Sequence, residues 1–279
     1  MIAGHPGSPS PGFFPDWRDI PIPVIQRPAD ARSYHEVAVD LKNPLFNEPI
    51  LEASSLGIAG ESYYARRDGW NVPYCRALEG ALPKLWVRKS VGERLSQVNA
   101  ALKPYGVELY GYDFLRTLRT QTEIWNWFVA LARRTLPNPS EEAVIAFAGT
   151  YSSDPRGFDP KNERTWFTHS TGGAVDLTLR RIGGELLFMG AIFDEPSELS
   201  RGDYFERRLK SKGSLSQSEE AALRARRLLF HAMRSQGFAP YLAEFWHWDY
   251  GTQLAIANLK IIGAPHPEKA VYGPAPLPT

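Results

Sequence analysis

Thr168-His169-Ser170-Thr171-Gly172-Gly173-Ala174-Val175-Asp176 is the stretch on which the reading of this chain turns. It sets two metal-binding side chains on either side of a glycine pair. Glycine tolerates sharp backbone turns, so Gly172 and Gly173 let the chain fold between His169 and Asp176. Asp176 then sits among Ala174, Val175 and Leu177, the small and apolar company of a buried strand. A carboxylate there needs a partner, because an unpaired buried charge is prohibitively costly. A metal ion is one such partner; an arginine or a backbone cap is another. The second informative segment is Glu244-Phe245-Trp246-His247. A catalytic zinc takes three nitrogen or oxygen ligands and keeps one position open, and imidazole and carboxylate suit it. His169, Asp176 and His247 make such a set. Glu244 and His247 would share one face of a helix, but the aromatic run Phe245, Trp246, Trp248, Tyr250 favours a strand. In a regular strand they point to opposite faces. A shared site therefore requires a bulge or turn near Trp246; otherwise Glu244 is a solvated edge residue and His247 a hydrogen-bonded core imidazole.

Around these segments the hydrophobic spacing predicts helices over Lys89–Leu102, Thr120–Arg134 and Gln217–Ser235. Ser216 and Glu219 offer the last of these a capping box, and Gly237 a stop. Strands are predicted at Gly106–Phe114, Ala143–Phe147, Ala174–Leu179, Glu185–Met189 and Ala243–Tyr250, with a turn at Gly183-Gly184 joining the third and fourth. Gly149–Glu163 reads as a long loop that could reshape a pocket. Strands and helices do not alternate regularly, so the predicted class is α+β: a small antiparallel sheet flanked by helices in one domain. Residues 1–33 are proline-rich and read as an extended arm, with Phe13, Phe14 and Trp17 to pack on something. The domain is expected over 34–262, and 263–279 as a proline-rich tail.

Composition narrows the function. The chain has 279 residues, 43% hydrophobic and 23% charged, the balance of a globular protein and not of a disordered one. Its 32 Lys+Arg against 31 Asp+Glu leave no basic excess for a phosphate backbone, so no nucleic-acid partner is expected. A single cysteine, Cys75, excludes an internal disulfide and a Cys-rich zinc site. No apolar run approaches the roughly 18 residues needed to cross a bilayer. The segment Met1–Gly7 lacks the basic start and apolar stretch of a secretory signal. The expectation is a cytoplasmic enzyme without a membrane partner.

Taken together, the motifs resemble a known family. His169-x-x-Gly172-x-Ala174-x-Asp176 followed by Glu244-x-Trp246-His247 is similar to the zinc signature of the D-alanyl-D-alanine dipeptidases. The resemblance continues in Val39-Asp40-Leu41-Lys42, Tyr112-Asp113-Phe114-Leu115-Arg116, Phe188-Met189-Gly190, Phe193-Asp194 and Ser235-x-Gly237-Phe238, and spans roughly Tyr34 to Ala257. It implies the α+β zinc-peptidase fold shared with lysostaphin-type and D-Ala-D-Ala peptidases, and one zinc per chain on His169, Asp176 and His247. It also implies Glu244 as the catalytic base and Arg116 as the stabiliser of the transition state, with Arg119 a nearby rival. Zinc lowers the pKa of a bound water to about 7, Glu244 would take its proton and pass it to the leaving amine, and Arg116 would hold the developing oxyanion.

The substrate side of the resemblance names Asp113, Phe167, Thr168 and Trp246. Asp113 stands at an acidic position that could recognise an amine. Phe167 is a departure: relatives commonly carry a serine there, associated with binding the dipeptide. Phenylalanine is larger and offers no hydrogen bond, unless Thr168 supplies the hydroxyl instead. The implied function is a zinc-dependent dipeptidase for D-Ala-D-Ala or a related D-amino-acid or nonproteinogenic dipeptide, working on peptidoglycan-type units. A D,D-carboxypeptidase on longer peptidoglycan peptides and a zinc-containing binding protein without turnover are the alternatives. Retention of Glu244 argues against the last.

Overall fold

The computed structural model describes residues 15–25 and 33–278. In chain order its main elements are β1 (Ile50–Glu52), β2 (Ala59–Gly60), β3 (Trp86–Arg88), α1 (Lys89–Leu102), β4 (Val107–Asp113), α2 (Leu118–Thr135), α3 (Glu141–Tyr151), β5 (Ala174–Arg181), α4 (Tyr204–Lys212), α5 (Gln217–Ser235), β6 (Ala239–Pro240), β7 (His247–Asp249) and α6 (Gln253–Ile261). The main sheet runs β2-β4-β5-β7-β6, antiparallel except for the parallel edge pair β2–β4, and β1 pairs with β3 in a separate ribbon. This is the expected α+β class.

Strand β5 lies at the centre of the sheet, and its first six residues are buried. Alternation puts Val175, Leu177 and Leu179 on one face, within the hydrophobic core. Ala174, Asp176 and Thr178 occupy the other. Helix α1 buries Val91, Leu95, Val98 and Leu102, the stripe its spacing predicts. It packs against α5 and β4, and α5 also meets β5 and β6. The capping box of α5 is present, with Ser216 and Glu219 each satisfying the other's backbone amide.

Three expected strands differ. Ala143–Phe147 lies inside helix α3. Ser140 caps it by accepting from the Ala143 amide, and Glu141 and Glu142 favour its positive N-terminal end. The apolar run is short because α3 buries only Val144, Ala148 and Gly149. Glu185–Met189 is no strand but a single bridge, Arg180 to Leu186. Leu186 and Phe188 stay exposed, so no buried face fixes a longer register. The last strand is confined to His247–Asp249, and 241–246 form a turn, with the Glu244 amide donating to the Tyr241 carbonyl at 3.0 Å. Helix α3 also takes the first three residues of the expected long loop.

Of the aromatic residues proposed to anchor the N-terminal arm, Trp17 stacks on Tyr105 with ring centroids 5.8 Å apart; Phe13 and Phe14 lie outside the described residues. Toward the C-terminus the backbone is irregular, yet Tyr272 is buried in the core and Ala270 bridges to Val39. Among the described residues no helix is long and apolar enough to cross a membrane.

Candidate metal centre and active site

Three adjacent strands converge on one point. A bulge between Gly111 and Asp113 of β4 brings Asp113 opposite Asp176 of β5, and Asp176 in turn faces His247 of β7. His169 comes from the turn Thr168–Thr171 just before β5. Gly172 ends that turn with φ +71°, a left-handed conformation glycine adopts without strain. A side chain at Gly173 would strike the Tyr250 carbonyl at 2.7 Å, so the close passage of this segment past β7 also needs glycine. Buried Arg88 pins the turn from behind, its Nε donating to the Thr171 carbonyl at 2.8 Å and its Nη2 to the Gly273 carbonyl at 2.9 Å.

The result is a triad of donor atoms. His169 Nε2 lies 3.1 Å from His247 Nδ1 and 3.3 Å from Asp176 Oδ2, while His247 Nδ1 lies 3.0 Å from Asp176 Oδ1. Ligands about 2.0–2.2 Å from a tetrahedral zinc are separated by roughly 3.3–3.6 Å, so this triangle needs only slight opening. The outer hydrogen bonds fix both rings. His169 Nδ1–H donates to the Phe114 carbonyl at 2.7 Å, and His247 Nε2–H donates to Asp249 Oδ2 at 2.8 Å. Each imidazole thereby turns its lone-pair nitrogen inward, as in metal sites whose ligand rings are held from outside. Two lone pairs 3.1 Å apart repel unless a cation or proton lies between them.

Charge tells the same story. Burial raises the Asp113 carboxyl to about 6 against the pull of Arg116. Burial likewise raises Glu244 to about 7 and, with help from the Asp176 charge, Asp194 to about 6. Burial also disfavours the Asp176 carboxylate, but His169 and His247 outweigh it and hold that group below the usual carboxylate range. At His247 burial disfavours the imidazolium, yet Asp249 and Asp176 favour positive charge more strongly. Several crowded carboxylates with one arginine leave a surplus of negative charge that a divalent cation would neutralise. The donor set, the ring tautomers and the charge all fit zinc.

The sequence-derived residues fall as follows. His169, Asp176, His247, Glu244, Arg116, Phe167 and Thr168 all line one cavity of about 320 Å³. The turn at 241–246 resolves the geometric conflict between Glu244 and His247, since Glu244 precedes the strand instead of alternating within it. The Arg116 side chain is 10% exposed, its Nε bonding Asp113 at 2.8 Å, Nη1 bonding Gln121 at 2.9 Å and Nη2 bonding Asp176 at 3.1 Å. Its pairing with Asp113 is therefore internal, whereas Arg119 is exposed and pairs with Glu79. Asp113 lies behind Arg116 and is not part of the cavity lining. Trp246 is not part of it either: it is buried in the core, edge-on to Phe193 at 5.5 Å. The Thr168 hydroxyl donates to Asp249.

Sequence reasoning gave no role to Asp249, although it lies two residues past His247 and alternation puts both on one strand face. In the sequence Asp194 stands out only through the Phe193-Asp194 pair. It lines the cavity and accepts from the hydroxyls of Tyr64 at 2.8 Å and Tyr74 at 3.0 Å. Those tyrosines come from a region with no local motif.

A three-donor triad with its imidazole rings held from outside, sharing one cavity with the Glu244 carboxylate and with Arg116 bonded to Asp176, is the arrangement of a metallopeptidase centre. The chain belongs to the D-Ala-D-Ala dipeptidase family, whose sequence profile matches residues 55–270. It is 33% identical to a D-alanyl-D-alanine dipeptidase of Synechocystis sp. over 105 residues, 38% of this chain and 42% of that protein. It is 38% identical to a D-alanyl-D-alanine dipeptidase of Escherichia coli over 144 residues, 52% of this chain and 55% of that protein. The chain thus matches about half the length of these curated relatives. A crystal structure of a point mutant of the vancomycin-resistance D,D-pentapeptidase VanY with Zn(II) is a remote likeness, with TM-score 0.39 and 15% identity over 83% of this chain and 96% of that one.

Proposed function

We propose that this protein is a zinc-dependent dipeptidase that hydrolyses D-Ala-D-Ala or a related D-amino-acid dipeptide, with His169, Asp176 and His247 holding one zinc ion. The observation that carries this reading is the triad of inward-facing donors, 3.0–3.3 Å apart, in a cavity shared with Glu244 and Arg116. Zinc held there supplies Lewis-acid polarisation and water activation near neutral pH.

The chain's own groups supply the rest. Glu244 accepts a proton from the attacking water at a carboxylate oxygen and delivers it to the leaving nitrogen; burial raises its carboxyl above the usual range. Arg116 is oriented by Asp113 and Gln121, leaving Nη2, the corner that now bonds Asp176, beside the position of the developing oxyanion. Asp194 offers a carboxylate to the substrate ammonium, steadied by two tyrosine hydroxyls. A cavity of about 320 Å³ lies at the small end of ligand sites, which favours a dipeptide over a long stem peptide. We further read the substrate as a peptidoglycan-type unit and the working place as the cytoplasm.

The test is hydrolysis of D-Ala-D-Ala and of a D-Ala-D-Ala-terminated pentapeptide by zinc-loaded protein and by Glu244→Gln. Wild type should release free D-Ala from the dipeptide faster than from the pentapeptide. Glu244→Gln should lose at least a hundredfold in kcat while keeping its zinc, because glutamine preserves shape but accepts no proton. Near-normal turnover by Glu244→Gln would remove it from the mechanism, and preference for the pentapeptide would make the protein a carboxypeptidase.

A further inference from the structure

A dipeptide brings an ammonium and a carboxylate into the cavity, and the walls provide unevenly for the two. Asp154, Asp176, Asp194 and Glu244 all line it, so a carboxylate enters against negative charge. The basic groups among the described lining residues are Arg116, His169, His247 and His35. Arg116 is tied to Asp113, Gln121 and Asp176, and His169 and His247 belong to the triad. That leaves His35. Its ring is half-buried, with Nδ1 closed off and without a hydrogen-bond partner. An orphaned buried N–H is rarer than an orphaned acceptor, which places the proton on Nε2 and makes that nitrogen a donor. Burial pushes the His35 pKa below its ordinary value and keeps the ring neutral in the free protein. A carboxylate beside it would favour the charged form and strengthen the bond.

His35 and Asp194 also stand on different flanks of the triad. Asp194 accepts from Tyr64, whose hydroxyl lies 3.5 Å from Arg116 Nη2. On the other flank Asp249, behind His247, accepts from Thr252 at the start of α6. The next residue, Gln253, donates to the Val37 carbonyl at 2.7 Å and the His35 carbonyl at 3.4 Å, docking the His35 segment on that helix. Two hydroxyls of this wall are already committed, Thr168 to Asp249 and Thr165 to the Asn162 carbonyl at 2.8 Å. Resting on the dipeptidase reading above, we propose that His35 donates from Nε2 to the C-terminal carboxylate of the dipeptide and so determines specificity for a free C-terminus. A hydrogen bond to a charged group changes affinity by roughly tenfold to a hundredfold.

The experiment compares D-Ala-D-Ala with its C-terminal amide, D-Ala-D-alaninamide, on zinc-loaded wild type, His35→Ala and His35→Gln. Calorimetry of both compounds on zinc-loaded Glu244→Gln, with and without His35→Ala, reads binding apart from turnover. Wild type should prefer the free acid at least tenfold in kcat/KM. His35→Ala should lose that preference through a KM at least tenfold higher for the acid, with kcat and the amide changed less than threefold. His35→Gln, whose amide nitrogen can stand near the position of Nε2, should recover part of it. Equal losses for acid and amide would mark His35 as merely structural and overturn the proposal, as would an acid preference that survives His35→Ala. Acid-selective binding that depends on His35, with no turnover of either compound by wild type, overturns the dipeptidase reading and leaves the carboxylate site standing.

Discussion

Asp249 does no chemistry on a substrate, yet its replacement should loosen the metal. Its carboxylate is fully buried; Oδ2 accepts from His247 Nε2–H at 2.8 Å, and Oδ1 accepts from the hydroxyls of Thr168 and of Thr252, the latter at 2.7 Å. Asp249→Asn keeps the volume and removes the charge. If the amide NH2 turns toward His247, the ring proton is driven to Nδ1, the atom that faces Asp176 and His169. If the amide oxygen turns that way, the tautomer survives but the imidazole loses the anion that strengthens it as a ligand. Removing such outer partners costs 10- to 100-fold in metal affinity, about 1.4–2.8 kcal/mol. Competition titration with a chromophoric chelator, on stripped wild type and variant, measures this directly. The Kd for zinc should rise by at least tenfold with the fold intact by circular dichroism. A Kd unchanged within about threefold would refute the claim that Asp249 sets the tautomer and basicity of His247.

Further outcomes follow from the same structure. In metal-free protein burial raises Asp194 to about 6, above its unfolded value of about 3.9. Between those values the folded state holds a proton on Asp194 that the unfolded state has lost, so this group's contribution to stability falls as pH rises from about 4 to 6 and then levels. Asp194→Asn should remove up to about 3 kcal/mol of that fall, read from urea melts at several pH values; a difference from wild type that is flat with pH would contradict this. The acid limb of kcat/KM should track Glu244, with activity lost as pH drops and the base becomes protonated. Bound zinc should place its apparent pKa below the metal-free value of about 7, and a pH profile flat from 5 to 8 would contradict that assignment. Phe167→Ser should raise kcat/KM for D-Ala-D-Ala by restoring a hydroxyl, and no gain in steady-state kinetics would show that Phe167 does not limit that substrate.

The site was more legible in the sequence than the strands around it. His169, Asp176 and His247 stand in compact motifs because a turn and two neighbouring strands supply them. Their chemistry also narrows the possibilities: two imidazoles and a carboxylate in apolar surroundings require a partner. Asp249 was available to the alternation rule but was masked by the aromatic run, which suggested a longer and more regular strand than β7. Helix α3 was misread because a short apolar run has no period of its own, and the Ser140 cap with two following glutamates was the better signal. Trp246 looked like a site residue by its place between Glu244 and His247, but the turn that presents Glu244 to the cavity sends the indole into the core. Tyr64 and Tyr74 meet Asp194 only through the tertiary fold, across more than a hundred residues of chain.

The central claim is that one zinc ion on these three side chains makes the protein a hydrolase. Stepwise zinc addition to chelator-stripped protein, with dipeptide hydrolysis followed at each step, tests it most directly. Activity should be absent at the start, rise linearly and break at one equivalent. His169→Ala, Asp176→Ala and His247→Ala should each abolish the break. Hydrolysis by the stripped protein, or a break at one equivalent that survives loss of any of these three side chains, would contradict the account.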